Sequence, residues 1–401
     1  MEYKVGSLFA GIGGIDLGIK NAKLPNGDGY SLVWANEIDE HACVTYKTNF
    51  EHTLIQGDIN KVLHPSSCIN DSPEEYEYYS KMNEQILKDR IDILTGGFPC
   101  QAFSIAGEMR GFEDERGNLF WSIINLVKQL DEKHGKPRIL FLENVKNLMA
   151  HDGGQTYKVI KSEIEKLGYI VKEHILNTME YSNLPQNRER IYIFCFLNKE
   201  DADRFTLFEN IKSYKKKFSK SDRENQILQI IDYSDSVPGK YYYSKEKYPI
   251  YYGERRNEQN DIESKTDNDY INLDEQITEF YQFYQLRRGM YVRKNQSNVC
   301  PTLTANMGTG GHNVPLILNH KGIRKLTPVE TLKLQGFPIN AGYEIPLKFE
   351  GKLYSDSYLY KQAGNAVSVP VIQFLATELL KVLSDNEKND KKEKATQLEL
   401  F

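Results

Sequence analysis

Several short runs hold residue types that could do chemistry together. In Gly96-Gly97-Phe98-Pro99-Cys100-Gln101 a cysteine follows a proline among small and turn-forming residues, at the end of an apolar run. A lone cysteine is more often a buried filler than a nucleophile. A rigid turn, however, would fix this thiol at the end of a strand. Glu143-Asn144-Val145 closes another apolar run with a carboxyl group, which alone would be an ordinary strand-end acid. If the two strands are neighbours, that carboxyl lies beside the thiol, ready for acid–base work on whatever the thiolate attacks. Gln186-Asn187-Arg188-Glu189-Arg190 leads into a further apolar run. Two arginines two residues apart on an extended segment face the same way; a solvated turn is the equal alternative.

A second set suits a nucleoside ligand. The first apolar run ends in Phe9-Ala10-Gly11-Ile12-Gly13-Gly14, and glycines after a strand let backbone approach a ligand closely. The next ends in Glu37, whose carboxylate could accept two ribose hydroxyls. The third ends in Asp58-Ile59, an acceptor for an amine beside an apolar plane. The dinucleotide pattern G-x-G-x-x-G fails, because Asp16 stands where the third glycine belongs. A negative charge at a helix start also disfavours a pyrophosphate. S-adenosylmethionine carries no phosphate and tolerates it.

The elements that must position these residues alternate. Strands are expected over Lys4–Ala10, Ser31–Ile38, Thr53–Ile59, Ile91–Gly97, Arg138–Val145, Tyr169–Asn177 and Arg190–Leu197, all short, apolar and bounded by turn residues. Helices are expected over Asp39–Phe50, Asn118–Lys133 and Gln155–Leu167. This rhythm reads as an α/β domain with a mostly parallel sheet, whose ligands bind at the carboxyl ends of the strands. The rhythm stops near Asn198, where a polar, tyrosine-rich stretch suggests a smaller domain of irregular or β character. Thr327-Pro328-Val329-Glu330 reads as a capping box opening a helix, and another helix is expected over Pro370–Leu383. The expected division is 1–200, 201–357, a segment 358–383 returning to the first domain, and a disordered, charged tail 384–401.

Composition excludes other classes. The five cysteines are widely spaced without a C-x-x-C pair, which fits a reducing cytosol and argues against a disulfide framework or a cysteine-rich zinc site. No metal site is expected. No run of about 18 consecutive apolar residues occurs, so no transmembrane helix is expected. The N-terminus lacks the long apolar segment of a signal peptide.

In their order along the chain these motifs resemble those of the bacterial-type DNA (cytosine-5)-methyltransferases. The resemblance runs from Phe9-Ala-Gly-Ile-Gly-Gly through Glu37, Gly57-Asp58-Ile59, Gly97-Phe98-Pro99-Cys100-Gln101, Arg116-Gly117-Asn118-Leu119-Phe120, Glu143-Asn144-Val145 and Gln186–Arg190. It resumes at Arg324–Pro328 and Leu334–Pro338, and ends at Gln362-Ala363-Gly364-Asn365-Ala366-Val367. It implies a Rossmann-like fold with S-adenosyl-L-methionine as methyl donor and a smaller target-recognition domain. Cys100 would add to carbon 6 of a flipped-out cytosine. Glu143, with a raised pKa, would protonate ring nitrogen 3, and Arg190 and Arg188 would contact the base or phosphate. Phe9, Gly11, Gly13, Glu37, Ile38, Asp58, Ile59, Leu119, Asn365 and Val367 would surround the cofactor. The loop 101–117 would close over the DNA, hinged at Gly107, Gly111 and Gly117. A serine that helps hold the flipped gap in some relatives is matched here by Ala106.

Target recognition is expected in the variable region. The formal net charge of −5 hides a segment, residues 280–329, with seven positive charges and no acid. It leaves −5 − 7 = −12 for the rest. Arg287, Arg288, Arg293, Lys294, Thr302 and Thr304, with Gln101 beside the cysteine, are the candidate DNA contacts. Double-stranded DNA is the expected partner; the resemblance implies a cognate restriction endonuclease acting on the same site without stable binding, and an orphan enzyme is equally compatible with the sequence. A monomer in a bacterial cytoplasm is expected. A tRNA-methylating relative, an inactive DNA binder and a nucleotide-dependent oxidoreductase are the competing readings.

Overall fold

Seven apolar runs in the first half of the chain become one sheet: β1 (Glu2–Leu8), β2 (Gly29–Glu37), β3 (Thr53–Gln56), β4 (Ile93–Gly97), β5 (Ile139–Val145), β6 (Ile170–Asn177) and β7 (Glu189–Phe196). The structure is a computed structural model describing residues 1–69, 72–98, 119–256, 262–264, 271–308 and 313–398. Side chains are described for all of these except 254–256, 262–264 and 386–398. The strand order is β3-β2-β1-β4-β5-β7-β6. Strands β3 to β5 pair in parallel, and β7 runs antiparallel to β5. The order reverses between β1 and β4, the place where such sheets bind ligands. The helices expected between strands form as α2 (Glu40–Asn49), α5 (Leu119–His134) and α6 (Gln155–Lys166). Helices α1 (Gly14–Asn21), α3 (Ile59–Leu63), α4 (Pro73–Ile86) and α8 (Lys199–Arg204) also belong to this part.

The chain divides into two compact units. The first comprises Met1–Leu176, Glu189–Lys215 and the chain from Val369 onward; the second comprises Asn177–Arg188 and Lys216–Ser368. These boundaries differ from those expected at 200, 357 and 383, for identifiable reasons. Asp201 is fully buried and receives the Arg138 guanidinium through two charge-assisted bonds of 2.6 and 2.8 Å, which keeps α8 with β5. Phe205 and Phe208 pack on Phe194 of β7. Gln186 and Asn187 bond residues 334, 335 and 300, all in the second unit.

The last helix, α13 (Val369–Leu398), runs past the expected end at 383 into the segment expected to be disordered. Its later turns carry Lys, Glu, Ala and Gln, which favour helix intrinsically. Its first half is apolar enough, by length and hydropathy, to pass for part of a membrane span. Within the first unit that face lies against α1. A Cβ on Gly18 of α1 would stand 2.6 Å from Ile372 and 3.0 Å from the Gln373 backbone nitrogen. Tyr30 donates to Ala376 O at 2.7 Å, and Gln373 donates to Asn21 O at 3.2 Å.

The second unit holds α7 (Thr178–Tyr181), α9 (Lys220–Ile230), α10 (Leu273–Gln276), α11 (Pro328–Leu334) and α12 (Asp356–Asn365). Its main sheet is antiparallel, in the order β11-β10-β12-β13, from β10 (Tyr284–Arg287), β11 (Tyr291–Lys294), β12 (Val314–Asn319) and β13 (Gly322–Lys325). Two small hairpins join β8 (Glu254–Arg256) to β9 (Ile262–Ser264) and β14 (Lys348–Phe349) to β15 (Lys352–Leu353). The capping box at Thr327 forms as expected, and its Glu330 also takes the buried Arg324 guanidinium at 2.7 and 2.9 Å. α12 packs on α11: Gln335 donates to Ala363 O at 2.6 Å, and Gly364 lies so close to residues 304–305 that a Cβ would meet backbone at 2.3 Å.

Gly18→Ala tests the α1–α13 contact. Overpacking against a β-branched side chain and a backbone nitrogen costs roughly 1–3 kcal/mol, read as a lower urea midpoint at unchanged m-value. An unchanged midpoint would mean that the two helices can separate freely.

Candidate active site

In the first unit the carboxyl ends of β1, β2, β3, β4 and β5 gather the expected residues along one edge. After β1 the backbone turns through left-handed conformations at Phe9 (φ 56°), Gly11 (φ 56°) and Gly13 (φ 80°). Phe9 is the informative one, because a non-glycine held there marks stored strain of the kind found at ligand loops. The Glu37 carboxylate explains how the turn is held. Its Oε2 accepts the Gly11 N–H at 2.7 Å, and its Oε1 accepts those of Ile38 and Asp39 at 2.8 and 2.7 Å. Burial pushes the Glu37 pKa up while these three backbone donors pull it down.

A carboxylate offers about four acceptor positions, so Glu37 retains acceptor capacity on Oε2 for a ribose hydroxyl. A Cβ on Gly11 would meet nothing within 4 Å, so the space above the turn is open. Ile38, 62% exposed, offers an apolar surface at the same edge. Ile59 is instead packed into the core, so it does not supply the exposed apolar plane expected of it. Asp58 caps α3, its Oδ1 accepting the Asn60 N–H at 2.8 Å. Leu119, half-buried, opens α5. The donors, acceptors and open space fit a nucleoside such as that of S-adenosylmethionine.

The second cluster sits two strands along. Register places Gly97 of β4 beside Glu143 of β5, and Val145 opposite Arg190 of β7. Glu143 and Arg190 are therefore diagonal neighbours on one face, within reach across antiparallel strands. The Arg190 Nε stands 3.0 Å from Glu143 Oε1, and both side chains are nearly buried. Asn144 points to the other face and donates to Phe98 O at 2.8 Å. It fixes the backbone two residues before Cys100, a role that the sequence did not announce.

Other expectations fare differently. Cys100, Gln101, the loop 101–117 with Ala106 and its glycines, and Arg116-Gly117-Asn118 lie outside the described residues. Arg188 is corrected. It precedes β7, belongs to the second unit, is 1% exposed, and donates to the carbonyls of Leu303, Gly364 and Ala366 at 3.0, 3.1 and 2.5 Å. The same-face rule fails because the strand begins only at Glu189. Asn365, exposed, and Val367, buried, also belong to the second unit.

The basic segment is less free than its composition suggests. Lys294 pairs with Glu279 and Arg324 with Glu330, the two acids that bound the acid-free window. That leaves 7 − 2 = 5 of its cations outside those pairs. Thr302 donates to Asn187 O at 2.6 Å and Thr304 to Asn306 Oδ1 at 2.9 Å. Arg287 is half-buried, while Arg288 and Arg293 are exposed.

Comparison with known proteins places this geometry. A family model, C-5 cytosine-specific DNA methylase, matches residues 3–381. The Type II methyltransferase M.Bsp6I of Bacillus sp. (strain RFL6) is 40% identical over 379 residues, covering 94% of this chain and 98% of the relative. The Type II methyltransferase M.HaeII of Haemophilus aegyptius is 35% identical over 385 residues, covering 96% and 94%. Among solved structures, the S. pombe Dnmt2 methyltransferase aligns with a TM-score of 0.57 at 16% identity, covering 95% of this chain and 99% of that one, a likeness of fold alone.

Behind the glycine turn lies a buried polar chain. Tyr46 donates to Asp16 Oδ2 at 2.8 Å, so the His52 Nε2, 2.6 Å away, must be the N–H that donates to the Tyr46 oxygen. Burial raises the Asp16 pKa to about 6 and lowers that of His52 to about 4. With its pKa at 3.8 when unfolded, Asp16 binds its proton more tightly in the fold. The stability contributed by Asp16 therefore falls as pH rises from about 4 to about 6 and stays lower above, while His52, whose pKa is lowered from 6.5, contributes the opposite slope between about 4 and 6.5. Relative to wild type, Asp16→Asn should stabilise the protein at pH 8 by roughly 2–3 kcal/mol with little change at pH 4, leaving the rise with pH that His52 contributes. Equal urea midpoints for both proteins at pH 8 would contradict it.

Proposed function

The chain belongs to the C-5 cytosine-specific DNA methylase family, and from that premise we propose how its residues divide the work. The enzyme is a sequence-specific DNA (cytosine-5)-methyltransferase, and S-adenosyl-L-methionine supplies the methyl group that carbon 5 takes up. Phe9, Gly11, Gly13, Glu37, Ile38, Asp58 and Leu119, all in the first unit, are the proposed cofactor residues. Glu37 orients the ribose through the acceptor position its backbone donors leave, and Ile38 offers its exposed side chain to the adenine.

The observation that carries the catalytic assignment is the Glu143–Arg190 pair at the end of β5, one strand from the segment that runs into Cys100. The thiols of Cys43, Cys68, Cys195 and Cys300 are all buried, and burial pushes the pKa values of Cys43, Cys195 and Cys300 up, Cys43 to about 12. A thiol held protonated is a poor nucleophile, which favours Cys100. Its thiolate adds to carbon 6, and the electron pair released into the ring makes carbon 5 nucleophilic. Glu143 donates a proton to ring nitrogen 3, where the charge gathers, while Arg190 holds the carboxyl in place. Loss of the carbon 5 proton to solvent then expels the Cys100 thiolate, and return of the nitrogen 3 proton to Glu143 restores the ring. The cytosine must leave the duplex for these atoms to be reached.

DNA is the partner, contacted through the second unit, where Arg287, Arg288, Arg293, Thr302 and Thr304 remain candidates, and through Gln101. We place the enzyme in the bacterial cytoplasm as a monomer, beside an endonuclease that cuts the same site without stable association.

Cys100→Ser should abolish transfer of label from S-adenosylmethionine to plasmid, with cofactor affinity by calorimetry within about twofold. Glu143→Gln should lower kcat by roughly 10²–10⁴ with KM for DNA little changed. Substantial turnover by Cys100→Ser would end the covalent mechanism, and label in tRNA but not plasmid would end the DNA reading.

A further inference from the structure

We infer that the β10–β11 hairpin is a base-reading ribbon that enters the DNA major groove, and that its outward face carries sequence discrimination. The inference rests on the DNA-methyltransferase reading and assigns residues that reading leaves open.

The geometry is local to the hairpin. β10 and β11 pair through Tyr284↔Lys294, Gln285↔Arg293, Leu286↔Val292 and Arg287↔Tyr291. Side chains alternate along a strand, which sorts these rungs by face. Tyr284, Leu286 and Val292 pack into the core of the antiparallel sheet, and Lys294, on their side, is tied to Glu279. The other face carries Gln285, Arg287, Tyr291 and Arg293. Tyr291 and Arg293 are exposed, and Gln285 and Arg287 half-buried. β12 covers β10 only as far as Leu286↔Val314, so the Arg287↔Tyr291 rung and the turn extend beyond it.

The turn is tight. Met290 N–H donates to Arg287 O at 3.0 Å, with Arg288 at φ 53° and Gly289 at φ 65°. Two consecutive left-handed residues and this hydrogen bond close a tight turn within the three-residue loop 288–290. Arg288 accepts a conformation that disfavours it, and Met290 is 67% exposed at the tip.

The chemistry suits base edges. A major groove roughly 12 Å wide admits a two-stranded ribbon, and strands about 4.8 Å apart fit within it. Arginine pairs with guanine O6 and N7, and glutamine with adenine N6 and N7. The Arg287 Nε is shielded from solvent and has no hydrogen-bond partner among the described residues. Charges on β11 would also protect an edge strand from pairing with another chain. That alternative requires charge alone and is indifferent to which face carries it.

The test uses the full chain, loaded with S-adenosylhomocysteine, selecting duplexes from a random-sequence pool. The wild type should enrich one motif. Arg287→Ala and Arg293→Gln should each lose preference at one base position by roughly 5- to 150-fold. Lys294→Ala should keep the motif, and Arg288→Ala should weaken all sequences alike. An unchanged motif in both Arg287→Ala and Arg293→Gln would overturn the proposal and leave edge protection; no enrichment by the wild type would overturn it too. Both variants change side chains outside the core, and thermal transitions within a few degrees of wild type confirm folding. Methyl transfer to plasmid, measured in parallel, reports on the proposed activity independently of which bases are read.

Discussion

The pairing of β5 with both of its neighbours is the constraint on which the rest of this site depends. A strand has period two, so a slip of one residue turns every side chain to the opposite face. In the register found, Glu143 lies beside Gly97 and meets Arg190 diagonally, while Asn144 turns away to hold the Phe98 carbonyl. One strand thereby presents a carboxyl to one side and anchors the approach to Cys100 from the other.

The same economy governs the polar groups each unit buries. Buried charges are tolerated when paired and hydrogen-bonded. Glu37 gathers three backbone donors, Asp201 takes Arg138 bidentately, Arg188 spans three carbonyls, and Glu330 serves a helix cap and a guanidinium together. Glu37, Asp201 and Arg188 thereby join segments distant in sequence. Removing one partner would strand the other, which is costlier than never having buried the pair.

Much of this was legible in the sequence because it is local. Strand and helix positions follow from apolar runs bounded by turn residues, and the Thr327 cap from four consecutive residue types. What stayed illegible depends on which distant segments meet. Arg188 and Arg190 looked equivalent until the strand was seen to start between them. Asp16 looked like a charge facing a ligand and is instead buried beneath Tyr46. The basic window looked free because composition counts charges without their partners, and the acids at its two borders reach back into it. Ile59 was expected to present an apolar surface and is buried, whereas Ile38 is 62% exposed, a difference that only the fold reveals. Asn144 gave a signal that went unused: an asparagine after a strand-end acid must point to the opposite face.

The close contact of α1 with α13 also has a consequence for the order in which the protein can be made. These helices pack together yet are separated by more than three hundred residues, with the whole second unit encoded between them. During synthesis, α1 and the strands around it leave the ribosome long before their covering helix exists, and their apolar faces must wait. The second unit, nearly continuous in sequence, can close first. Long loops of this kind are slow to form, and domains on a growing chain fold as their parts emerge. The first segment to be translated is thus among the last to be completed, and its exposed interval is set by the rate of translation.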